Sequence, residues 1–372
     1  MRLFRSVTLG AAALAVAACS SAGSGAGSTT ATSGVTSSAA PTTSIRPPTT
    51  AAPARGSPAH PATVADTSAN LPDPFILKVP GGYELYASQT GLYDEDIPTA
   101  FSKTFGKWGG TRSALVSVPA WATDGFDWAP DVRYLDGQYV MYFDSMAQPS
   151  LYYDQQGTGF SHYAQCIGVA TSPAPAGPFT GRPSPLICDL AAHGAIDPRT
   201  FLATDGELYL DWKSDDNAAA PAAYAVSHLY AQRLSANGLS LEGPPHLLLT
   251  ADERWQAKIV EAPDMVEARG RFWLFYSGSW FNSANYGVGY ASCAGPIGPC
   301  ADRSVQGPFI GSNTQGQGPG EESLFEDPNG RWWMLYSPWF FGFTPTGVRP
   351  IAIAPMAFTT SPYVAVPTST ST

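Results

Sequence analysis

The sequence predicts an all-β fold, a five-bladed β-propeller, and three observations predict it. A turn glycine followed by a strand of aromatic and aliphatic residues occurs five times, starting at Gly82, Gly137, Gly206, Gly270 and Gly330. Gly137-Gln138-Tyr139-Val140-Met141-Tyr142-Phe143 is one copy, and each copy is a hairpin signal. The glycines stand 55, 69, 64 and 60 residues apart, a spacing that suits a four-stranded blade better than a two-helix repeat. Nine residues before each stand Asp73, Trp128, Asp197, Glu261 and Glu321. Blades around one axis would bring those equivalent positions, and their carboxylates, together.

The segment before the repeats has a different character. Residues 1–18 carry Arg2 and Arg5 and then the apolar run Leu9 to Ala18, too short for a membrane span and readable as an export signal. Val16-Ala17-Ala18-Cys19 resembles the lipobox of bacterial lipoproteins, which implies an acylated Cys19 at the mature N-terminus. Ordinary cleavage near Ala18, with Cys19 incidental, is the alternative. Residues 19–66 are nearly all Ser, Thr, Ala, Gly and Pro, without Phe, Trp or Tyr. They cannot bury a core and read as a disordered tether. The propeller is expected over residues 67–360, and the Pro/Ser/Thr-rich residues 361–372 as a flexible tail.

These features imply a monomer on the outer face of a bacterial cytoplasmic membrane or in the cell envelope, touching lipid only through its anchor. In such a compartment Cys166, Cys188, Cys293 and Cys300 are expected to be disulfides. Four cysteines allow three connectivities, and sequence proximity favours Cys166–Cys188 and Cys293–Cys300. No Cys-x-x-Cys supports a cysteine metal site. A net charge of −10, with 20 Lys and Arg spread thinly, excludes a phosphate-neutralising stripe and hence nucleic acid as partner.

The acids carry the chemistry. Leu71-Pro72-Asp73-Pro74-Phe75, Ile196-Asp197-Pro198 and Val260-Glu261-Ala262-Pro263-Asp264 each place an acid beside or near a proline. Proline has no N–H for a ladder, so the acid marks the start of an innermost strand. Trp128-Ala129-Pro130-Asp131 aligns on Glu261-Ala262-Pro263-Asp264, which makes Asp131 the counterpart of Asp264. An acid at a strand start also serves as a structural acceptor, and that reading stays open for Asp131 and Asp264. Three to four carboxylates in one pocket are what glycoside hydrolysis needs.

The Asp-Pro-Phe opening, Trp-Ala-Pro-Asp, Ile-Asp-Pro and Glu-Ala-Pro resemble the signature segments of glycoside hydrolase family 43. So do Gly168-Val169-Ala170-Thr171-Ser172-Pro173, Gly287-Val288-Gly289-Tyr290-Ala291 and Arg349-Pro350-Ile351-Ala352-Ile353-Ala354-Pro355. The family comprises five-bladed enzymes acting on arabinofuranosides and xylosides. The resemblance implies a polysaccharide or oligosaccharide substrate and an inverting mechanism. It casts Asp73 as general base, Glu261 as general acid, and Asp197 as the acid that orients Glu261 and favours its protonated form. It also implies that Trp128, Asp131 and Arg349 bind the sugar. No cofactor is required by this reading.

Blade five departs from the family pattern. Glu321-Glu322-Ser323 follows Gly318-Pro319-Gly320 where a histidine near a channel calcium or sodium ion is common, and Ser337 stands where another histidine often follows the blade-five tyrosine. Neither histidine of such a site is present at these two positions. Glu321 could ligate a hard cation or add a fourth acid to the pocket. Glu326-Asp327-Pro328-Asn329-Gly330 mimics a fructosidase nucleophile motif but is good turn chemistry. Two other functions compete. A carbohydrate-binding propeller without turnover is favoured only by the altered fifth blade, and a phosphorolytic enzyme would need Arg199 and Arg349 as its phosphate site.

Overall fold

The structure, a computed structural model, describes residues 70–90, 95–104, 107–148, 164–218, 225–313, 316–340 and 347–365. The expected export signal, Cys19 and the tether lie outside these residues. Twenty strands form five four-stranded antiparallel sheets, each from one continuous stretch of chain. The first blade holds β1 (Phe75–Val79), β2 (Gly82–Tyr86), β3 (Pro98–Ser102) and β4 (Arg112–Ser113). The second holds β5 (Trp128–Leu135), β6 (Gln138–Met146), β7 (Gln165–Ser172) and β8 (Thr180–Gly181). The third holds β9 (Ala195–Leu202), β10 (Leu208–Ser214), β11 (His228–Leu234) and β12 (Leu241–Thr250). The fourth holds β13 (Val260–Ala268), β14 (Arg271–Gly278), β15 (Gly287–Cys293) and β16 (Cys300–Asp302). The fifth holds β17 (Gln317–Glu326), β18 (Trp332–Trp339), β19 (Ala352–Phe358) and β20 (Pro362–Val364). The expected five-bladed propeller is thus the fold, and β20 carries the last blade past residue 360 into the segment expected to be a flexible tail.

Each inner strand contacts the next, β1 to β5, β9, β13, β17 and back to β1, which closes the ring. The alternation within the repeated phrase explains the packing, because successive strand residues face opposite sides of a blade. In β6, Met141 and Phe143 join the cluster shared with blade one, while Val140 and Tyr142 join the cluster shared with blade three. One apolar cluster fills each of the five blade interfaces. Among the described residues no strand is exchanged between the first and last blades. Closure rests instead on Ile76 and Leu85 packed with Leu335, Ile351 and Ile353, and on main-chain bonds such as Leu71 N–H to Arg349 O at 3.2 Å.

Both favoured disulfides are present. Cys166–Cys188 ties β7 to the loop before blade three, and Cys293–Cys300 spans the β15–β16 hairpin. The Asp327 loop is the expected turn: one Asp327 carboxylate oxygen accepts from the Asn329 and Arg331 N–H groups, at 2.8 and 3.0 Å.

Candidate active site

The same distortion recurs at or near the start of every inner strand. Asp73, Ala129, Asp197, Ala262 and Glu321 have φ of 56°, 46°, 56°, 50° and 55°, and the hairpin register slips beside this position in blades two to five. A left-handed backbone costs a non-glycine residue about 1–2 kcal/mol. Contacts from the preceding blade offset it. Ala129 N–H is held by Ser88 Oγ at 2.8 Å, Asp197 N–H by Asp144 Oδ1 at 3.0 Å, Ala262 N–H by Asp197 Oδ2 at 2.9 Å, and Glu321 N–H by Ser277 Oγ at 2.8 Å.

This ring corrects the alignment read from the glycines. Glu261 and Trp128 do not share the position of Asp73, Asp197 and Glu321; each lies one residue earlier, and Ala262 and Ala129 occupy the bend. The hairpin turns are the reason. In blades two and four the glycine ends a two-residue turn, Asp136-Gly137 and Arg269-Gly270, whereas in blades three and five residues 203–207 and 327–331 separate the paired strands. Counting back from glycine therefore lands one residue apart in the two kinds of blade.

The offset gives the acids different surroundings. Arg349 Nη1 lies 3.1 Å from Asp73 Oδ1, and the Ser88 hydroxyl donates to Asp73 Oδ2. Glu261 is held at both oxygens, Oε2 by the Lys213 ammonium at 2.9 Å and Oε1 by the Tyr286 hydroxyl at 2.6 Å. Burial, and then the charge on Glu261, push the Asp197 carboxyl up to about 7, with Lys213 acting against them. Burial, followed by the charges of Asp197, Asp73 and Glu261, pushes Glu321 well above the usual carboxylate range.

Asp197, Glu261 and Glu321 bring carboxylate oxygens within 4.8 Å of one another, the kind of cluster a calcium or sodium ion would take. The donor set does not suit an ion. Both Glu261 oxygens, one oxygen of Asp197 and one of Glu321 already accept hydrogen bonds or share the Tyr286 hydroxyl. The Lys213 ammonium, itself buried, supplies the positive charge an ion would bring.

Of the expected sugar-binding residues, Trp128 is half-buried beside the blade-two bend and meets the exposed Phe126 edge-on at 6.1 Å. Asp131, for which the structural reading was left open, lies fully buried two residues beyond the blade-two bend, accepts a hydrogen bond from the Thr200 hydroxyl, and stands 3.9 Å from Arg199. The Arg199 guanidinium covers the Phe75 ring at 5.2 Å, so this inner layer is structural. Arg349 is also buried and serves Asp73, with its guanidinium 5.6 Å from the Trp339 ring and 5.9 Å from Phe281. Neither arginine is placed as a phosphate site.

Three features escaped the sequence reading. Lys213 sits where blades one, two, four and five carry Ser88, Asp144, Ser277 and Ser337, six or seven residues after the repeat glycine, and that contrast was available in the sequence. Tyr286 comes from the irregular segment before β15, and the Phe281–Trp339 pair joins that segment to the end of β18. Neither belongs to the repeated phrase.

Carboxyls with separate cationic partners at the inner ends of a closed ring of blades are the apparatus of a glycoside hydrolase. The model of a family described as "Glycosyl hydrolases family 43" matches residues 67–360, and the chain belongs to that family. It is 25% identical over 295 residues to an extracellular exo-alpha-(1->5)-L-arabinofuranosidase of Streptomyces avermitilis, covering 74% of this chain and 57% of that relative. A xylosidase/arabinosidase of Humicola insolens is 34% identical over 83 residues, 22% of this chain and 20% of that relative. The chain thus spans little more than half the length of one curated relative and a fifth of the other. In fold it is similar to a thermostable family-43 glycoside hydrolase, with a TM-score of 0.66 at 24% identity over 82% of this chain and 95% of that one. An endo-arabinase from Bacteroides thetaiotaomicron gives 0.61 at 20% identity, over 80% and 97%.

Proposed function

We propose that the protein is an exported, lipid-anchored, inverting glycosidase that cleaves arabinofuranosidic linkages in polysaccharides. The observation that carries this reading is the division of cations: Asp73 is paired with Arg349, and Glu261 with Lys213. Two acids with independent partners can do opposite tasks. Asp73 takes a proton from water as the water oxygen bonds to the anomeric carbon. Glu261 gives a proton to the departing oxygen as the glycosidic bond breaks. Asp197, bonded to the Ala262 N–H next to Glu261, fixes the acid's backbone. Trp128 and the Phe281–Trp339 pair offer apolar faces for sugar rings. The arabinofuranoside preference follows the Streptomyces relative, and the anchor follows the lipobox-like Val16-Ala17-Ala18-Cys19.

The test compares two variants on two substrates. Glu261→Gln should lose about 10²-fold or more on a poor leaving group yet retain most activity on an activated aryl arabinofuranoside, which needs little protonation. Asp73→Asn should be severe on both. Full activity in Asp73→Asn would overturn the assignment.

A further inference from the structure

The Tyr286 hydroxyl oxygen lies 2.6 Å from Oε1 of Glu261 and 2.6 Å from Oε1 of Glu321. A phenol has one hydrogen to donate. Were both carboxyls ionised, one of these contacts would set lone pair against lone pair. One carboxyl therefore carries a proton and donates it to the phenol oxygen.

The surroundings select which one. Lys213 places its ammonium 2.9 Å from Glu261 Oε2, so Glu261 already has a cation in contact. Among the described residues, none forms an ion pair with Glu321. It is buried and faces Asp197 on β9, Asp73 before β1 and Glu261 on β13, while Arg349 before β19, a cation that acts on it, is already paired with Asp73. The proton rests on Glu321.

We propose that Tyr286 and Glu321 form a proton store for Glu261, with the proton held on Glu321 at rest and passed through the phenol. The proposal rests on Glu261 being the acid. In the transfer the phenolic O–H bond breaks and its proton moves to Oε1 of Glu261, while the Glu321 proton moves to the phenol oxygen. Tyrosine stays neutral, Glu321 becomes a carboxylate, and one proton has moved. Glu261 gives it to the leaving oxygen. Release of the proton taken up by Asp73, and uptake of one by Glu321, restore the start. Lys213 then has a role compatible with acid catalysis: it holds Glu261 in place while the proton is kept elsewhere.

Tyr286 and Glu321 act through Glu261, so the test reads pH and leaving-group dependence. Rates on an arabino-oligosaccharide and on a dinitrophenyl arabinofuranoside are measured across pH for the wild type, Glu321→Gln, Tyr286→Phe and Glu261→Gln, with folding checked by circular dichroism. Glu321→Gln and Tyr286→Phe should each lose about 10-fold or more on the oligosaccharide, with the basic limb moved to lower pH, and far less on the activated glycoside. The infrared difference between wild type and Glu321→Gln at pH 7 should contain a protonated carboxyl C=O stretch. Equal losses on both substrates with an unchanged pH profile, or a difference spectrum showing only carboxylate bands, overturn the store. If Glu261→Gln still spares the activated glycoside in that case, the acid assignment stands. If Glu261→Gln slows both substrates alike, the acid assignment itself fails. Tyr286→Phe carries the kinetic test independently of whether Glu321→Gln folds.

Discussion

Lys213 and Glu261 meet at 2.9 Å although they belong to neighbouring blades, and the lysine also reaches Asp215 at 3.4 Å. The pair is a strut between blades three and four as well as part of the site. Lys213→Met should therefore have two effects. Loss of one partner from a buried ion pair should cost about 3–5 kcal/mol of stability, read by chemical denaturation. With the ammonium's contact on Glu261 removed, the basic limb of the oligosaccharide pH profile should move to higher pH, opposite to the direction expected for Glu321→Gln.

The buried acids also set a pH dependence of stability. Burial is the largest cause pushing Asp127 up to about 7, with the Ser145 hydroxyl acting against it. The folded protein then binds this proton more tightly than the unfolded chain does. Asp127 thus contributes most below about pH 4, and that contribution is lost as pH rises toward 7, with roughly 4 kcal/mol as an upper bound. Asp127→Asn should unfold at a temperature that gains on the wild type between pH 4 and pH 7.5. A temperature difference constant across that range would contradict this account.

Ring closure can be tested apart from chemistry. Leu85 is almost fully buried against Leu335 and Ile353 at the interface of the first and last blades. Leu85→Ala should cost about 2–5 kcal/mol in denaturant unfolding, with the pH profile of activity unchanged.

The sequence carried the ring but not the details of its mouth. Five aromatic hairpins announced the blades because each interface needs alternating apolar residues, as Val140 and Tyr142 against Met141 and Phe143 show. The same phrase misplaced Glu261 and Trp128 by one residue relative to the bends, because turn length varies between blades and is set by φ values no repeat displays. For Asp131 the sequence left a structural reading open beside the sugar-binding role the resemblance implied, and it forms a buried layer with Arg199 and Thr200. Whether an acid faces the channel mouth or lies deeper depends on a bulge. Tyr286 was illegible for a different reason: it enters the site from a non-repeating segment, and only the folded ring brings it between two carboxyls 25 and 35 residues away.

Anchoring should depend on one residue. Cys19→Ala should release the protein from membranes into the soluble fraction, read by detergent phase partitioning of cells expressing the whole chain. Unchanged partitioning would contradict the lipoprotein assignment and leave the hydrolase reading untouched.

The stereochemistry of the first product tests the central claim most directly. With Asp73 activating water and Glu261 protonating the leaving oxygen, attack comes from the face opposite the departing group. Proton NMR recorded early in the hydrolysis of an α-arabinofuranoside, before mutarotation, should show β-arabinofuranose appearing first. Initial release of α-arabinofuranose would mean a covalent glycosyl intermediate, and with it a nucleophile where a base has been assigned.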